Sequence, residues 1–436
     1  MGMAPPPAIT ADPTEWPAPR RAVVAWCVYD WANSAFPTVI TTFLFSAYFT
    51  SAVAADPELG TAQWGQANSL AALVIAILGP VLGAIADQGG RRKPWLFALS
   101  LLSVLATAAL WFVRPDPGDA MFALIVVAIA TIGFELAVTF YNAMLAELVP
   151  ETHLGRVSGW GWGLGYAGGL ACLLLALILF VRPDPSPFGL DRAAAEHVRV
   201  VAPFAALWFA LFAVPLFVMT PDRRSAGLAI GAAIRRGLSD LFETLRQVRR
   251  YRNIARFLLA KMIYIDGLNT LFAFGGIYAA GSFGMSLEEV LWFGVLLNVS
   301  SGLGAASFAW IDDWLGARRT ILIALAGLIA VGLAILFIDG KAWFYILATA
   351  MGIFVGPAQA ASRSLMARLA PPERRTEFFG LYSLAGKATA FAGPAILGWT
   401  AYLFDSQRAG MATILPFFII GLIILWPVRE PGRLNA

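Results

Sequence analysis

Charge is what this sequence has least of. Only 13% of its 436 residues are Asp, Glu, Lys or Arg, while 59% are hydrophobic and mean hydropathy is +0.72. A soluble domain carries about 25% charged residues, so this chain cannot cover itself for water. That excludes a soluble enzyme, a nucleic-acid binder and a disordered scaffold. The net charge of +4 is no nucleic-acid signal either, because the basic residues sit in short loops. Cysteine is almost absent. Cys27 and Cys172 both fall inside apolar runs, which leaves no disulfide framework and no metal-ligand spacing. Histidine is as scarce, and His153 and His197 lie in loops. No apolar run pairs a nucleophile with a base, so no enzyme, cofactor or metal is expected.

What is present is apolar length. A helix needs about 20 mostly apolar residues to cross hydrocarbon. Twelve runs qualify: 22–50, 66–86, 95–113, 120–148, 157–181, 200–219, 254–280, 288–310, 320–338, 342–369, 378–404 and 411–427. The fold class expected is an all-α integral membrane protein with twelve transmembrane helices. Residues 51–55 imitate a cleavage site, but a signal peptide has an apolar core of only about 7–15 residues, so the first span is read as uncleaved. Lys and Arg set the orientation. With the N-terminus in the cytoplasm, 22 of the 31 basic residues lie inside, six outside, and Lys261, Arg363 and Lys387 within spans. Both termini are expected in the cytoplasm, and the Ala- and Arg-rich style points to a bacterial inner (plasma) membrane.

The longest hydrophilic stretch, 220–253, divides the spans six and six. It carries Leu238, Leu241, Phe242, Leu245 and Val248 at helical spacing among Arg235, Arg236, Arg246, Arg249 and Arg250. That pattern is a basic amphipathic helix at the cytoplasmic surface. A linker between two bundles is one reading and a target for a partner protein the other. The expected layout is a tail 1–21, a six-helix bundle 22–219, the linker 220–253, a second bundle 254–428 and a tail 429–436.

The two halves repeat. Asp30-x-x-Asn33 in span 1 returns as Asp266-x-x-Asn269 in span 7. Asp87-x-x-Gly90-Arg91-Arg92 after span 2 returns as Asp313-x-x-Gly316-Ala317-Arg318 after span 8. Leu145-Ala146-Glu147-Leu148-Val149-Pro150 after span 4 returns as Met366-Ala367-Arg368-Leu369-Ala370-Pro371 after span 10. Two such halves with a site between them is the architecture of a rocking secondary transporter.

Gly83-x-x-x-Asp87-x-x-Gly90-Arg91-Arg92-Lys93 resembles the loop-2/3 signature of the major facilitator superfamily. Tyr29-Asp30-Trp31-Ala32-Asn33-Ser34-Ala35-Phe36, Tyr264-Ile265-Asp266-Gly267, Gln359 to Ser364, Glu377 to Tyr382 and Gly386-Lys387 are similar to its vacuole-effluxer-like, autophagy-related branch. The resemblance implies a major-facilitator fold of two pseudo-symmetric six-helix bundles, with spans 1, 4, 7 and 10 lining the cavity. It implies a fungal relative that releases amino acids from the vacuole, and bacterial members without a defined substrate. It also implies that Asp87 and the basic residues after it latch the halves on the cytoplasmic side. Gly83, Asp87, Gly90, Arg91, Arg92, Asp313, Gly316 and Arg318 are therefore the candidate conformational gate. Physically, Asp87 can face the positive end of another helix. In the second copy Ala309 replaces Gly83 and Ala317 replaces Arg91, which predicts a weaker half-latch.

Ionisable residues inside spans are functional hypotheses by default. They are Asp30, Glu135, Lys261, Asp266, Arg363 and Lys387. At 1.5 Å per residue, Asp30, Asp266 and Lys387 lie about 12, 18 and 14 Å into their spans. With no His in any span, Asp30, Glu135 and Asp266 are the candidate proton carriers. The alternative is that Asp30 and Asp266 make fixed pairs with Asn33, Asn269 or Lys387. Arg363 and Lys387 suit an anionic group, or else salt bridges that close a gate. Lys261 is expected to snorkel toward headgroups. Asp30, Asn33, Tyr264, Asp266, Asn269, Arg363 and Lys387 form the candidate substrate site. The span-5 glycines resemble the antiporter motif of drug exporters, but its Gly-Pro is missing, and Asn142 stands where those exporters carry an arginine. Trp26, Trp31, Tyr141, Trp160, Tyr264 and Phe272 either line a cavity or pack.

The function expected is secondary active transport of a small polar, carboxylate-bearing, amino-acid-like solute by alternating access. The coupling ion is a proton or sodium, with the proton favoured. Expected partners are that solute, the ion and membrane lipids, with no nucleic acid, and the chain is expected to be a monomer. The alternatives are a transporter of a lipid-like amphiphile and a transport-inactive nutrient sensor.

Overall fold

The computed structural model describes residues 16–247 and 249–431. Val248, Arg433 and most of the two expected tails lie outside the described residues. Within them the chain is helical, with no strand. Eleven helical segments are long and apolar enough to cross a membrane. They are span 1, Arg20–Val53; span 2, Pro57–Gly89; span 3, Lys93–Phe112; span 4, Pro117–Leu148; span 5, Glu151–Val181; span 6, Glu196–Met219; span 7, Arg252–Phe283; span 8, Glu288–Leu315; span 9, Ala317–Ile335; span 10, Lys341–Leu369; and span 12, Gln407–Leu425.

Span 11 is not the single run 378–404 that hydropathy suggests. It is two helices, Arg375–Lys387 and Ala392–Leu403, parted at residues 388–391. Pro394 is the local cause. It has no N–H to bond the carbonyl four residues back, at Ala390, and its ring crowds that carbonyl. In the first turn of the second helix the missing donor costs nothing. Span 1 is irregular for a related reason. Beyond Asn33 and around Pro37 it widens into a π-helical stretch, Phe36–Phe43, a deformation common at functional sites.

The span-5 glycines serve two faces. A Cβ on Gly168 would lie 2.7 Å from the Trp31 Cα of span 1, and one on Gly159 would lie 3.1 Å from the Ala309 Cα of span 8. Small residues thus let span 5 pack closely on both halves. Spans 2 and 8 both end on a glycine with positive φ, Gly90 at +83° and Gly316 at +96°. The two described ends share one end of the bundle. Trp16 packs at a tilt against His153, with ring centroids 5.0 Å apart, and the Arg429 amide donates to Asn253 at 2.8 Å. We call it the basic end, since loops 2/3 and 8/9 and the linker also lie there.

Candidate functional site

Arg363 of span 10 is a charged group buried inside the bundle. It belongs to the second half, yet its polar partners come from the first. Its guanidinium donates to Asp30 of span 1 at 2.8 Å, to the Ser158 hydroxyl and carbonyl of span 5 at 2.9 and 2.7 Å, and to Asn142 of span 4 at 3.4 Å. The Trp26 ring lies 4.7 Å from its carbon, with Tyr141 and Trp162 each at 5.7 Å. Trp26 and Tyr141 are stacked and fully buried. Arg363 itself is 3% exposed. Every nitrogen of this planar fork has an acceptor, and the acceptors tie span 10 to spans 1, 4 and 5 of the other half.

The second inter-half pair is different. Lys387, the last residue before the break in span 11, donates to Glu135 of span 4 at 2.6 Å. Both stay partly accessible, at 29% and 22%. Lys387 reaches a cavity of about 420 Å³ together with Asn68 and Ser69 of span 2 and Thr131 of span 4. The buried Thr131 hydroxyl has no partner. Below the cavity, spans 2 and 11 press together at Gly79 and Gly380 and at Gly83 and Thr376. Lys261 of span 7 lies within electrostatic range of both Glu135 and Lys387. It does not snorkel. It is 5% exposed, donates to the Tyr382 carbonyl at 3.0 Å and sits 3.8 Å over the Tyr382 ring.

At the basic end two carboxylates hold two helix starts. Asp87 accepts from the Thr376 hydroxyl at 2.6 Å and the Glu377 amide at 2.9 Å, both in the first turn of span 11. Arg92, 1% exposed, ties Asp87, Thr376 and Glu147 together. Arg223 of the linker adds bonds to Glu147 and the Pro372 carbonyl. In the other half Asp313 accepts from the Gly155 amide at 2.9 Å, opening span 5, and pairs with Arg156 at 3.3 Å. The positive end of each helix explains the match. The polar contacts that join the halves run from mid-depth to the basic end, so the halves are closed together there.

The family described as "Vacuole effluxer Atg22 like" matches residues 65–433. The chain belongs to that family. An uncharacterized MFS-type transporter, YxiO of Bacillus subtilis strain 168, is 30% identical over 93% of this chain and 94% of its own. Autophagy-related protein 22 of Pichia angusta is 24% identical, over 82% of this chain and 73% of that one. The solved major-facilitator proton:xylose symporter XylE superposes with a TM-score of 0.70 at 14% identity, covering 94% of this chain and 96% of that one. That likeness shows the fold, a twelve-helix major-facilitator bundle with span 11 in two pieces.

In this Atg22-like chain the candidate residues separate into three groups. Arg363 and Asp30 meet each other. Glu135 meets Lys387, which lines the cavity. Asp266 reaches neither. It is 1% exposed, beside Thr389 in the break of span 11, with one carboxylate oxygen unpartnered. The repeat counterparts Asp30 and Asp266 thus have different surroundings: Arg363 stands opposite Asp30, and Asn142 holds the place of Arg363 in the other half. Nor does Asp266 or Asp30 pair with Lys387. Asn33 is buried with its amide nitrogen unpartnered, Asn269 is exposed, and Tyr264 is buried against the Ser362 hydroxyl at 2.6 Å.

Two gate candidates also move. Arg91 is exposed and outside the latch. The Arg318 guanidinium donates to the Trp426 carbonyl and its backbone amide donates to Glu430, both within its own half, beside the cap formed by Gly316. Its register puts it past the seam. Of the aromatic residues, Trp31 packs on Trp208 within the first half, while Trp160 and Phe272 are exposed. Sequence reasoning missed Ser158, Thr376 and the Asp312 and Arg368 pair at 2.6 Å. Of these, only Arg368 carried a signal, as the repeat counterpart of Glu147.

Proposed function

We propose that this protein moves a small polar, carboxylate-bearing solute of amino-acid type by alternating access, coupled to protons. The observation that carries the reading is the Glu135 and Lys387 pair, which joins the halves at 2.6 Å beside a cavity of about 420 Å³. That volume suits a small ligand. A solute carboxylate entering the cavity competes with Glu135 for Lys387, with Lys261 behind it. Once displaced, the Glu135 carboxylate has lost its cationic partner and is the group placed to carry the proton. The pair then no longer holds the halves, and proton and solute are released together after rearrangement. Asn68, Ser69 and Thr131 supply neutral donors and acceptors for the rest of the solute. The family's description as a vacuole effluxer agrees with movement of a small solute across a membrane.

This is transport rather than catalysis, carried out by a monomer in the plasma membrane with both termini in the cytoplasm. No cofactor or nucleic acid is needed. One observation favours a lipid-like amphiphile as a second reading: Leu73 and Phe391 at the cavity rim are 59% and 71% exposed. Competition by amino acids against lysolipids separates the two.

The test is reconstitution into liposomes holding a pH-sensitive dye. Solute-driven proton flux in the wild type should fall at least about a hundred-fold in Glu135→Gln, the low end for one lost acid–base group, while solute counterflow persists. Asp266→Asn should keep its proton flux, since Asp266 faces neither the cavity nor the other half. Equal flux in wild type and Glu135→Gln sinks the assignment.

A further inference from the structure

The linker helix, Ile230–Arg246, is built to touch three things at once. On one side it packs on span 2. A Cβ on Gly237 would lie 2.8 Å from the Ile85 Cα, and Asp240 accepts from Gln88 at 2.6 Å. On a second side it holds the turn that opens span 11. Arg374 donates to Thr244 at 2.8 Å and to Glu243 at 3.1 Å. That turn leads directly into Thr376 and Glu377, which Asp87 grips. The third side is open. Ile234, Phe242 and Leu245 are 38%, 62% and 54% exposed, and Arg235, Arg236, Arg246, Arg249 and Arg250 around them are exposed too.

The open side has an identifiable occupant. On span 2, Leu70 and Ile77 are 65% and 59% exposed, seven residues apart on one face, so that face meets lipid. Seven residues on come Ala84 and Ile85, where the linker helix sits. It therefore lies on the lipid-facing flank of span 2 at its basic end, at headgroup level. An apolar stripe bordered by arginines matches acyl chains bordered by phosphates.

We propose that the open face of the linker helix docks on an anionic lipid leaflet, and that this contact favours closure of the basic end by steadying Arg374 and the first turn of span 11. The helix bridges span 2 of the first half and span 11 of the second, so whatever fixes the helix also fixes their relation.

The test uses the full chain in nanodiscs of phosphatidylcholine, with or without phosphatidylglycerol. Spin labels go on cysteines introduced at the exposed Glu151 and Glu373, one per half. The native thiols are buried and do not compete. Phosphatidylglycerol should raise the closed population of the wild type about five-fold, the low end of ordinary coupling between sites. A variant with Arg235, Arg236, Arg246, Arg249 and Arg250 all changed to Gln should not respond. R235Q/R236Q alone should lose part of the response, and serves if the full variant does not purify. Phe242→Ser with Leu245→Ser keeps the charges and should also respond less. No lipid effect on the wild type, or an undiminished effect in the charge variants or in the stripe variant, overturns the proposal. The readout contains no solute, so its failure leaves the proposed transport reaction untouched.

Discussion

Arg363→Met is expected to stop transport and to open the basic end. The guanidinium is 3% exposed and binds Asp30, Asn142 and Ser158 across the interface between halves. Removing one partner of a buried pair costs about 3–5 kcal/mol, since it strands the other charge. Here the cost falls on the closed state alone. When the halves part at that end, Asp30 can meet water. The closed population should drop by at least about a hundred-fold, seen as a longer distance between labels at Glu151 and Glu373 and as uptake near background. Asp30→Asn should be milder, because an amide oxygen still accepts from the guanidinium and Ser158 keeps its two bonds. Combining Arg363→Met with Asp30→Asn should restore closure relative to Arg363→Met alone, because no charge is then stranded. Normal uptake by Arg363→Met would show that these contacts are dispensable.

Gly83→Leu should disable the latch at Asp87. A Cβ at Gly83 would come within 2.7 Å of the Thr376 carbonyl carbon and 2.9 Å of the Glu377 amide nitrogen. These are backbone atoms, and they cannot step aside as a flexible side chain can. The first turn of span 11 is pushed off span 2, and Asp87 loses both bonds there. Because the clash exists only when the basic end is closed, the protein should still fold and melt near the wild-type temperature. Uptake should fall by about a hundred-fold, which corresponds to about 3 kcal/mol against closure, within the ordinary range for an overpacked contact. Gly83→Ala should lie between. Gly89→Ala is the control: a Cβ there meets nothing within 4 Å, and uptake should not change. Wild-type uptake and label distance in Gly83→Leu would refute the close-approach role of this glycine.

The spans and the repeat were legible in the sequence for a plain reason. Hydrocarbon demands about 20 apolar residues per crossing and tolerates few charges, so helix number and the short list of interior charges stand out from the background. Asp87 at a helix start was also readable, because an N-terminus attracts a carboxylate wherever it lies. The broken span 11 was written in Gly393-Pro394, although hydropathy averages over it. Partner choice was another matter. Asp30, Glu135, Asp266, Lys261, Arg363 and Lys387 were all visible as charges at membrane depth, and any pairing among them looked possible. Glu135 and Lys387 are 252 residues apart, and no local rule links them. Which carboxylate meets which cation depends on how far each helix is turned about its axis and how closely the halves approach. Side-chain packing along whole helices decides both. The sequence by itself thus determined a membrane bundle of two like halves and the list of its interior charges. Only the tertiary structure decided that Arg363 meets Asp30, Asn142 and Ser158, that Asp266 stands apart, and that Glu135 pairs with a Lys387 that lines a cavity.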